Sequence, residues 1–171
     1  MKRLVPYLFV AIWTGLATIA QAVMVETLGL GVWAPDVPIF LLVAALAQLY
    51  KSDAVRVSLV AALARATFTV EPPFAIVAGS LAVGLAADVL RRLAELSQVL
   101  TRAALVGTAA FFFGLWLVFV DAVRTASPVT SLVNASTQLL PTALTSALLA
   151  LFAWPLARKL PGLRSIERRA F

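Results

Sequence analysis

The chain has 171 residues, of which 62% are hydrophobic and only 13% are charged, and its mean hydropathy is +0.98. A soluble domain is typically about 45–50% apolar and about 25% charged, so the composition excludes an ordinary soluble fold and predicts a membrane protein. Cysteine and histidine are both absent, which excludes disulfides, thiol nucleophiles, histidine general bases and zinc fingers.

Six apolar segments follow one another along the chain, and we interpret each as a transmembrane helix of an all-α polytopic membrane protein. Their approximate bounds are Leu4–Met24, Pro38–Tyr50, Ala54–Val70, Pro73–Leu90, Ala103–Val120 and Val133–Leu156. Because six helices of about 20 residues use about 120 residues, we expect residues 1–171 to form a single integral membrane domain that ends in a basic cytoplasmic tail over 157–171. The second and third segments are short for a crossing of about 30 Å, which makes five spans the main alternative.

The basic residues predict the orientation of these helices. With six spans and the N-terminus inside, twelve of the 14 Lys and Arg residues fall on the cytoplasmic side, while Arg124 falls outside and Arg65 falls within a span. The positive-inside rule expects this division, and a five-span count would spoil it. We therefore predict six spans with both termini cytoplasmic. The net charge of +6 then indicates a rim that attracts anionic lipids, with no nucleic-acid groove of stacking aromatics.

Arg65 is the charge that lies deepest within a predicted span. It follows Ala54 by eleven residues, which places it about 16 Å into the third helix. A charge at that depth usually faces the protein interior and pairs with another group. Asp36, Glu71 and Asp121 lie near the outer ends of the helices, so we expect a structural ion pair with one of them, the alternative being a side chain that snorkels to the outer surface.

Two helices show small-residue faces suited to close packing. The fourth segment places small residues within a narrow arc, at Ala75, Gly79, Ala82 and Ala86. The fifth carries a small-residue face at Gly107, Ala110 and Gly114, and the opposite face is aromatic, at Phe112, Trp116 and Phe119. We expect this aromatic face to contact either lipid or a partner helix.

The sixth segment is the most polar of the six. One face carries polar side chains at Asn134, Gln138, Thr142 and Thr145, with Pro141 beside them and Ser146 at the flank. Such a face lines a cavity in some proteins and bonds helices together in others. We favour the second interpretation and expect Asn134 and Gln138 to act as intramembrane structural residues.

The sequence offers little that predicts catalysis. The acidic residues lie at the predicted helix ends, and no glycine-rich phosphate loop or paired-carboxylate metal motif occurs. No internal repeat suggests an inverted-repeat transporter. We therefore expect no enzymatic activity, no cofactor and no metal.

The layout resembles MreD, the family of rod shape-determining membrane proteins. The resemblance rests on Pro35–Asp36 followed by Ile39–Leu49, on Leu59–Arg65, on Ala75–Leu85, and on Trp154–Lys159 within the last span and its basic end. The resemblance covers most of the chain, and the motifs that carry it are weak. Ala61 and Arg65 stand where the family often has Gly and Asp, and Ala34 stands where it often has Arg.

This resemblance implies a non-catalytic scaffold or adaptor of the bacterial cell-elongation machinery in the inner membrane. Its partner would be an MreC-like protein, and through that partner the RodA–PBP2 peptidoglycan synthase and MreB. Its helical fold would be similar to the S-components of ECF vitamin transporters, so a small-molecule-binding transporter subunit is the alternative function. Such a binder should have a roomy polar pocket between its helices, whereas a scaffold should be closed and filled with Phe and Leu.

Two surfaces are expected to bind the partner of such a scaffold. The first is the aromatic face of the fifth helix, formed by Phe112, Trp116 and Phe119. The second is the predicted outer loop Val25–Pro35, whose apolar side chains are Leu28, Leu30 and Trp33. Aromatic side chains of this kind often supply most of the binding free energy of an interface.

Overall fold

The structure is a computed structural model, which describes residues 5–48, 53–93, 98–125 and 130–160. Within these ranges the chain forms six α-helices and a short 3₁₀ helix at Gly31–Trp33, and it has no strand. The α-helices are α1 Val5–Glu26, α2 Val37–Gln48, α3 Ala54–Ala66, α4 Pro73–Leu93, α5 Val99–Arg124 and α6 Thr130–Ala157. The all-α polytopic membrane fold expected from the composition is confirmed.

Five helical stretches of the described residues are long and apolar enough to cross a membrane. They are Val5–Glu26, Gly31–Gln48, Pro73–Leu90, Val99–Arg124 and Asn134–Ala157. The 13 residues of α3 extend only about 20 Å, which is less than the hydrocarbon thickness of about 30 Å. Six helices are therefore present, while six full crossings and the cytoplasmic position of both termini stay predictions.

Several helix ends differ from the expected bounds for local reasons. The third helix stops at Ala66, four residues before the predicted end, and its last turn closes where the Thr67 amide donates to the Leu63 carbonyl. The fifth begins at Val99, before the predicted start at Ala103. Of the predicted basic tail, the residues 161–171 lie outside the described residues.

Helix α2 is the centre of the bundle. Eight of its 12 residues are buried, and it packs against all five other α-helices. A short helix surrounded in this way has no side free to face lipid, which explains why its sequence is apolar throughout rather than amphipathic. The first turn of α2 lies between α3, α5 and α6.

The small-residue face of α5 packs against α6, as its composition suggests. A Cβ atom at Gly107 would lie 3.0 Å from the Ala143 carbonyl oxygen and 3.0 Å from the Ala147 Cβ, both on α6. On the opposite side of the bundle Gly84 of α4 lies directly against Ser58 of α3. Backbones that approach so closely gain dispersion contacts, which drive helix association in lipid, where apolar burial alone does not.

Candidate functional site

A buried ion pair connects the beginning of α2 to the end of α3. Arg65 Nη1 donates to Asp36 Oδ1 over 2.9 Å and Arg65 Nη2 donates to Asp36 Oδ2 over 3.0 Å. The two side chains are 9% and 7% exposed. Of the three carboxylates expected from the sequence, the structure therefore places Asp36 against Arg65, while Glu71 and Asp121 are exposed.

Asp36 reaches this position because it caps the N-terminus of α2. Its Oδ1 atom also accepts a hydrogen bond of 3.0 Å from the Ile39 amide, in the first turn of the helix. Pro38, which precedes Ile39, has no N–H group and so leaves no donor unsatisfied in that turn. The carboxylate thus lies at the positive end of the helix dipole while it binds the guanidinium of Arg65.

Helix α6 completes the hydrogen bonding of Asp36 through Ser146. The Asp36 amide donates to Ser146 Oγ over 2.8 Å, and Ser146 Oγ in turn donates to the Thr142 carbonyl over 2.6 Å. Ser146 is fully buried. A buried amide without a partner would cost about 1–3 kcal/mol, so Ser146 fixes the chain before α2 to a helix 110 positions away.

Helix α5 supplies an aromatic ring over the cation. The guanidinium carbon of Arg65 lies 4.4 Å from the centre of the Phe113 ring, and Phe113 is 1% exposed. A cation over a ring face is stabilised by about 2 kcal/mol when both are removed from water. The Arg65 Nε atom is buried and has no hydrogen-bond partner among the described residues.

Asp36, Arg65, Phe113 and Ser146, which we name the Asp36–Arg65 site, join the chain before α2 to helices α3, α5 and α6. Both carboxylate oxygens bind the guanidinium, a group that stays protonated in proteins. The pair is therefore suited to holding helices together. The described residues contain no group of three acidic side chains that could hold a metal ion.

The polar face of α6 is oriented differently from the expectation. Asn134 and Gln138 are exposed, so they do not line the bundle interior, and the position at the flank, Ser146, is the buried one. The reason is that Ala143 and Ala147 of α6 pack against Gly107 of α5, which turns Ser146 inward with Ala143 and leaves Asn134 and Gln138 away from the bundle centre.

The Val25–Pro35 loop exposes the apolar side chains singled out in the sequence. Leu28, Leu30 and Trp33 are all exposed, with Leu28 65% and Trp33 57% accessible. Gly29 and Gly31 adopt left-handed backbone angles, with φ of 64° and 51°, which other residues disfavour. The loop is also tied to α6, because Thr142 Oγ1 donates to the Val32 carbonyl over 2.6 Å.

The aromatic face of α5 is only partly exposed. Phe112 and Phe119 are exposed, but Trp116 is half-buried against α4, where its Nε1 atom donates to the Ala75 carbonyl over 2.9 Å. A Cβ atom at Gly79 of α4 would come within 2.7 Å of the Trp116 ring. The small-residue arc of α4 therefore receives the aromatic face of α5 at this point.

Two pockets of about 330 Å³ bear on ligand binding. The first is a groove between α4 and α5, whose walls are apolar apart from Thr108. The second is a more polar depression with Glu71, Asp121 and Thr125 in its wall. All three of these polar residues are accessible, so neither pocket is a roomy polar chamber between the helices.

The sequence reasoning missed Phe113 and the part that Ser146 plays. Phe113 lies between Phe112 and Gly114 in the sequence, and its position next to the small-residue face of α5 was the available signal that it points inward.

Compared with protein-family models, curated proteins and solved structures, the chain has no match. The residues and their geometry therefore carry the argument for a function.

Proposed function

We propose that the protein is a non-catalytic membrane scaffold of the bacterial cell-elongation complex, which binds an MreC-like partner in the inner membrane. The family comes from the sequence resemblance, and the RodA–PBP2 synthase and MreB would be reached through that partner. The observation that carries the scaffold role is the Asp36–Arg65 site. It uses the buried charges of the bundle to hold helices in place and leaves none of its groups accessible to a substrate.

The departures from the family pattern concern this same site. Arg65 supplies a positive charge next to Asp36, whereas the family often carries a positive charge at the position of Ala34. The chain therefore has opposite charges at the entry of α2, with the cation on α3. Arg65 also stands where the family often has Asp, so the charge at this position departs from the family pattern.

The exposed surface near this site is suited to a protein partner. The Val25–Pro35 loop ends next to Asp36, and Thr142 and Ser146 hold both to neighbouring turns of α6. Leu28 and Trp33 are therefore presented by a loop whose end is fixed. Because the backbone is already fixed, apolar side chains presented in this way lose less conformational entropy when a partner binds.

The alternative function, a small-molecule-binding subunit of an ECF-like transporter, has less support. The groove between α4 and α5 is apolar, and the depression beside Glu71 and Asp121 lies at the surface. A vitamin-type ligand needs several convergent polar groups in a largely enclosed pocket. The residues that line these two pockets therefore favour the scaffold function over the transporter function.

Co-purification with a single-span MreC-like protein tests the proposal. We expect Trp33→Ala and Phe119→Ala each to weaken the complex by about 10-fold or more, as truncated aromatic anchors do. Phe152→Ala, which removes an exposed ring of α6 far from both surfaces, is the matched control and should leave binding unchanged. Equal binding by all three variants would contradict the assigned surfaces, and no complex with the unaltered protein would contradict the proposed function.

A further inference from the structure

The groove between α4 and α5 is closed at one end and open at the other. At the closed end, the indole of Trp116 bonds to the Ala75 carbonyl of α4, and Gly79 lies in close contact with the Trp116 and Phe113 rings. Past this contact the α4 wall includes Ala82 and Ala86, which are both exposed. Their small side chains leave the space of about 330 Å³ between the helices.

The length of the groove corresponds to one leaflet of a bilayer. From Gly79 to Leu90 the α4 wall spans eleven residues, or about 16 Å at 1.5 Å per residue. Half of a hydrocarbon core of about 30 Å is about 15 Å. An extended acyl chain that enters from one membrane surface would thus reach the closed end near the bilayer midplane.

The open end of the groove coincides with a concentration of positive charge. The last wall residue of α4, Leu90, is followed by Arg91 and Arg92, and Arg102 precedes the α5 wall residue Leu105 by one turn. The guanidinium carbon of Arg102 lies 5.3 Å from the centre of the Trp154 ring on α6, so the last turn of α6 is at this end as well.

That last turn of α6 brings two more cations to the same end of the bundle. They are the exposed Arg158 and Lys159. The acidic residue of α4 nearest to this end is Asp88, which is buried and does not belong to the groove wall. Within the described helix ends, the cations outnumber the carboxylates of Asp88 and Asp53, and Asp53 is paired with Arg56. A phosphate-bearing headgroup placed there would be attracted by about 1 kcal/mol for each nearby cation.

We propose that this groove binds one acyl chain of an anionic phospholipid, with the phosphate of the lipid at the basic end. A partner transmembrane helix fits the groove less well, because such a helix crosses the whole hydrocarbon thickness, whereas the groove extends along only about 16 Å of α4. The same holds for a helix of a second copy of the chain. The groove shares Phe112 and Trp116 with the aromatic face of α5 but does not include Phe119 or the Val25–Pro35 loop, so variants at Ala86 and at Phe119 test the lipid and the scaffold proposals separately.

Native mass spectrometry of the detergent-purified protein tests the proposal. Phosphatidylglycerol or phosphatidylcholine with identical acyl chains is added at equal concentration, and the fraction of protein that retains one lipid is measured. We expect the unaltered protein to retain phosphatidylglycerol at least fivefold better than phosphatidylcholine. Equal retention of the two lipids would overturn the proposal without reliance on any variant.

Variants then locate the lipid. Ala86→Phe fills the groove and should reduce phosphatidylglycerol retention at least fivefold, whereas Ala104→Phe adds the same ring at an exposed alanine of α5 outside the groove wall and should have no effect. Neutralising the basic end with Arg91→Gln and Arg92→Gln should lower phosphatidylglycerol retention about fivefold for each arginine and leave phosphatidylcholine unchanged. The assignment would be overturned if Ala86→Phe and Ala104→Phe retained phosphatidylglycerol equally. It would also be overturned if Ala86→Phe dissociated a dimer of the chain.

Discussion

Asp36 and Arg65 lie 29 positions apart and bind each other through two parallel hydrogen bonds, while the same Asp36 oxygen that binds Nη1 also caps α2. One carboxylate therefore fixes both the start of α2 and the end of α3. Its two oxygens accept three described hydrogen bonds in a site from which water is excluded. Removal of either charge leaves the other buried without compensation, which is the costly way to break a buried pair.

We predict that Arg65→Ala lowers the free energy of unfolding by about 3–5 kcal/mol, because Asp36 would remain buried and charged without its partner. Denaturant unfolding in detergent micelles, followed by tryptophan fluorescence, measures this change. The matched control is Arg56→Ala, which breaks the exposed Arg56–Asp53 pair of the same helix and should cost at most about 1 kcal/mol. Equal losses in the two variants would contradict a structural role for the pair.

The double variant Asp36→Ala with Arg65→Ala should be less destabilised than the sum of the two single variants. When both charges are absent, no uncompensated charge remains, and only the cap of α2 and the packing are lost. A coupling free energy of about 1–3 kcal/mol is expected from the thermodynamic cycle, measured by the same unfolding assay. Additive losses would show that the two side chains do not stabilise each other.

Ser146→Ala should destabilise the protein by about 1–3 kcal/mol, because the buried Asp36 amide would lose its acceptor. The comparison is Thr137→Ala, whose hydroxyl donates to the carbonyl of Asn134 in its own helix and is exposed. That substitution should change stability by less than about 0.5 kcal/mol. A Ser146→Ala protein as stable as the Thr137→Ala protein would mean that the amide has another acceptor.

The Thr142 hydroxyl should control the mobility of the Val25–Pro35 loop. Thr142→Val removes the hydrogen bond to the Val32 carbonyl, and the amides of residues 28–34 should then exchange with deuterium about fivefold faster. Thr145→Val is the control, since the Thr145 hydroxyl bonds only within α6, to the Pro141 and Thr142 carbonyls. Unchanged exchange in Thr142→Val would show that the loop is held by other contacts.

Gly84→Ala should be strongly destabilising because a Cβ atom at this position would collide with the Ser58 side chain of α3. We expect a loss of about 1–3 kcal/mol, the usual cost of overpacking. Adding Ser58→Gly removes the obstructing atoms and should recover part of that loss. Because Ser58 Oγ is buried without a hydrogen-bond partner among the described residues, Ser58→Ala alone should be close to neutral.

Much of the architecture could be predicted from the sequence because lipid imposes a simple pattern. Apolar runs separated by charges and prolines gave six segments, and six α-helices are present. The depth of Arg65 predicted a buried partner, but three carboxylates satisfied that requirement equally well. The choice of Asp36 depends on the three-dimensional position of the α2 cap, which no spacing along the chain encodes.

The side chains around the ion pair were harder to predict for a related reason. The rotation of α6 about its own axis depends on where Ala143 and Ala147 meet Gly107 of α5, and this rotation leaves Asn134 and Gln138 exposed. Phe113 adjoins the small-residue face of α5, which indicates that it points inward, but its contact with Arg65 of α3 could not be predicted from that position. Whether a segment forms a helix depends on its local composition, whereas the rotation of that helix about its own axis depends on contacts between distant segments.

The bond between the Asp36 amide and Ser146 also has a consequence for biosynthesis. Asp36 precedes α2, and Ser146 is supplied by α6, which is synthesised after the five other described α-helices. Until α6 has inserted, the Asp36 amide at the entry to α2 lacks the acceptor that Ser146 provides. A chain that lacks α6 therefore differs from one that contains it in the hydrogen bonding of the Asp36 amide.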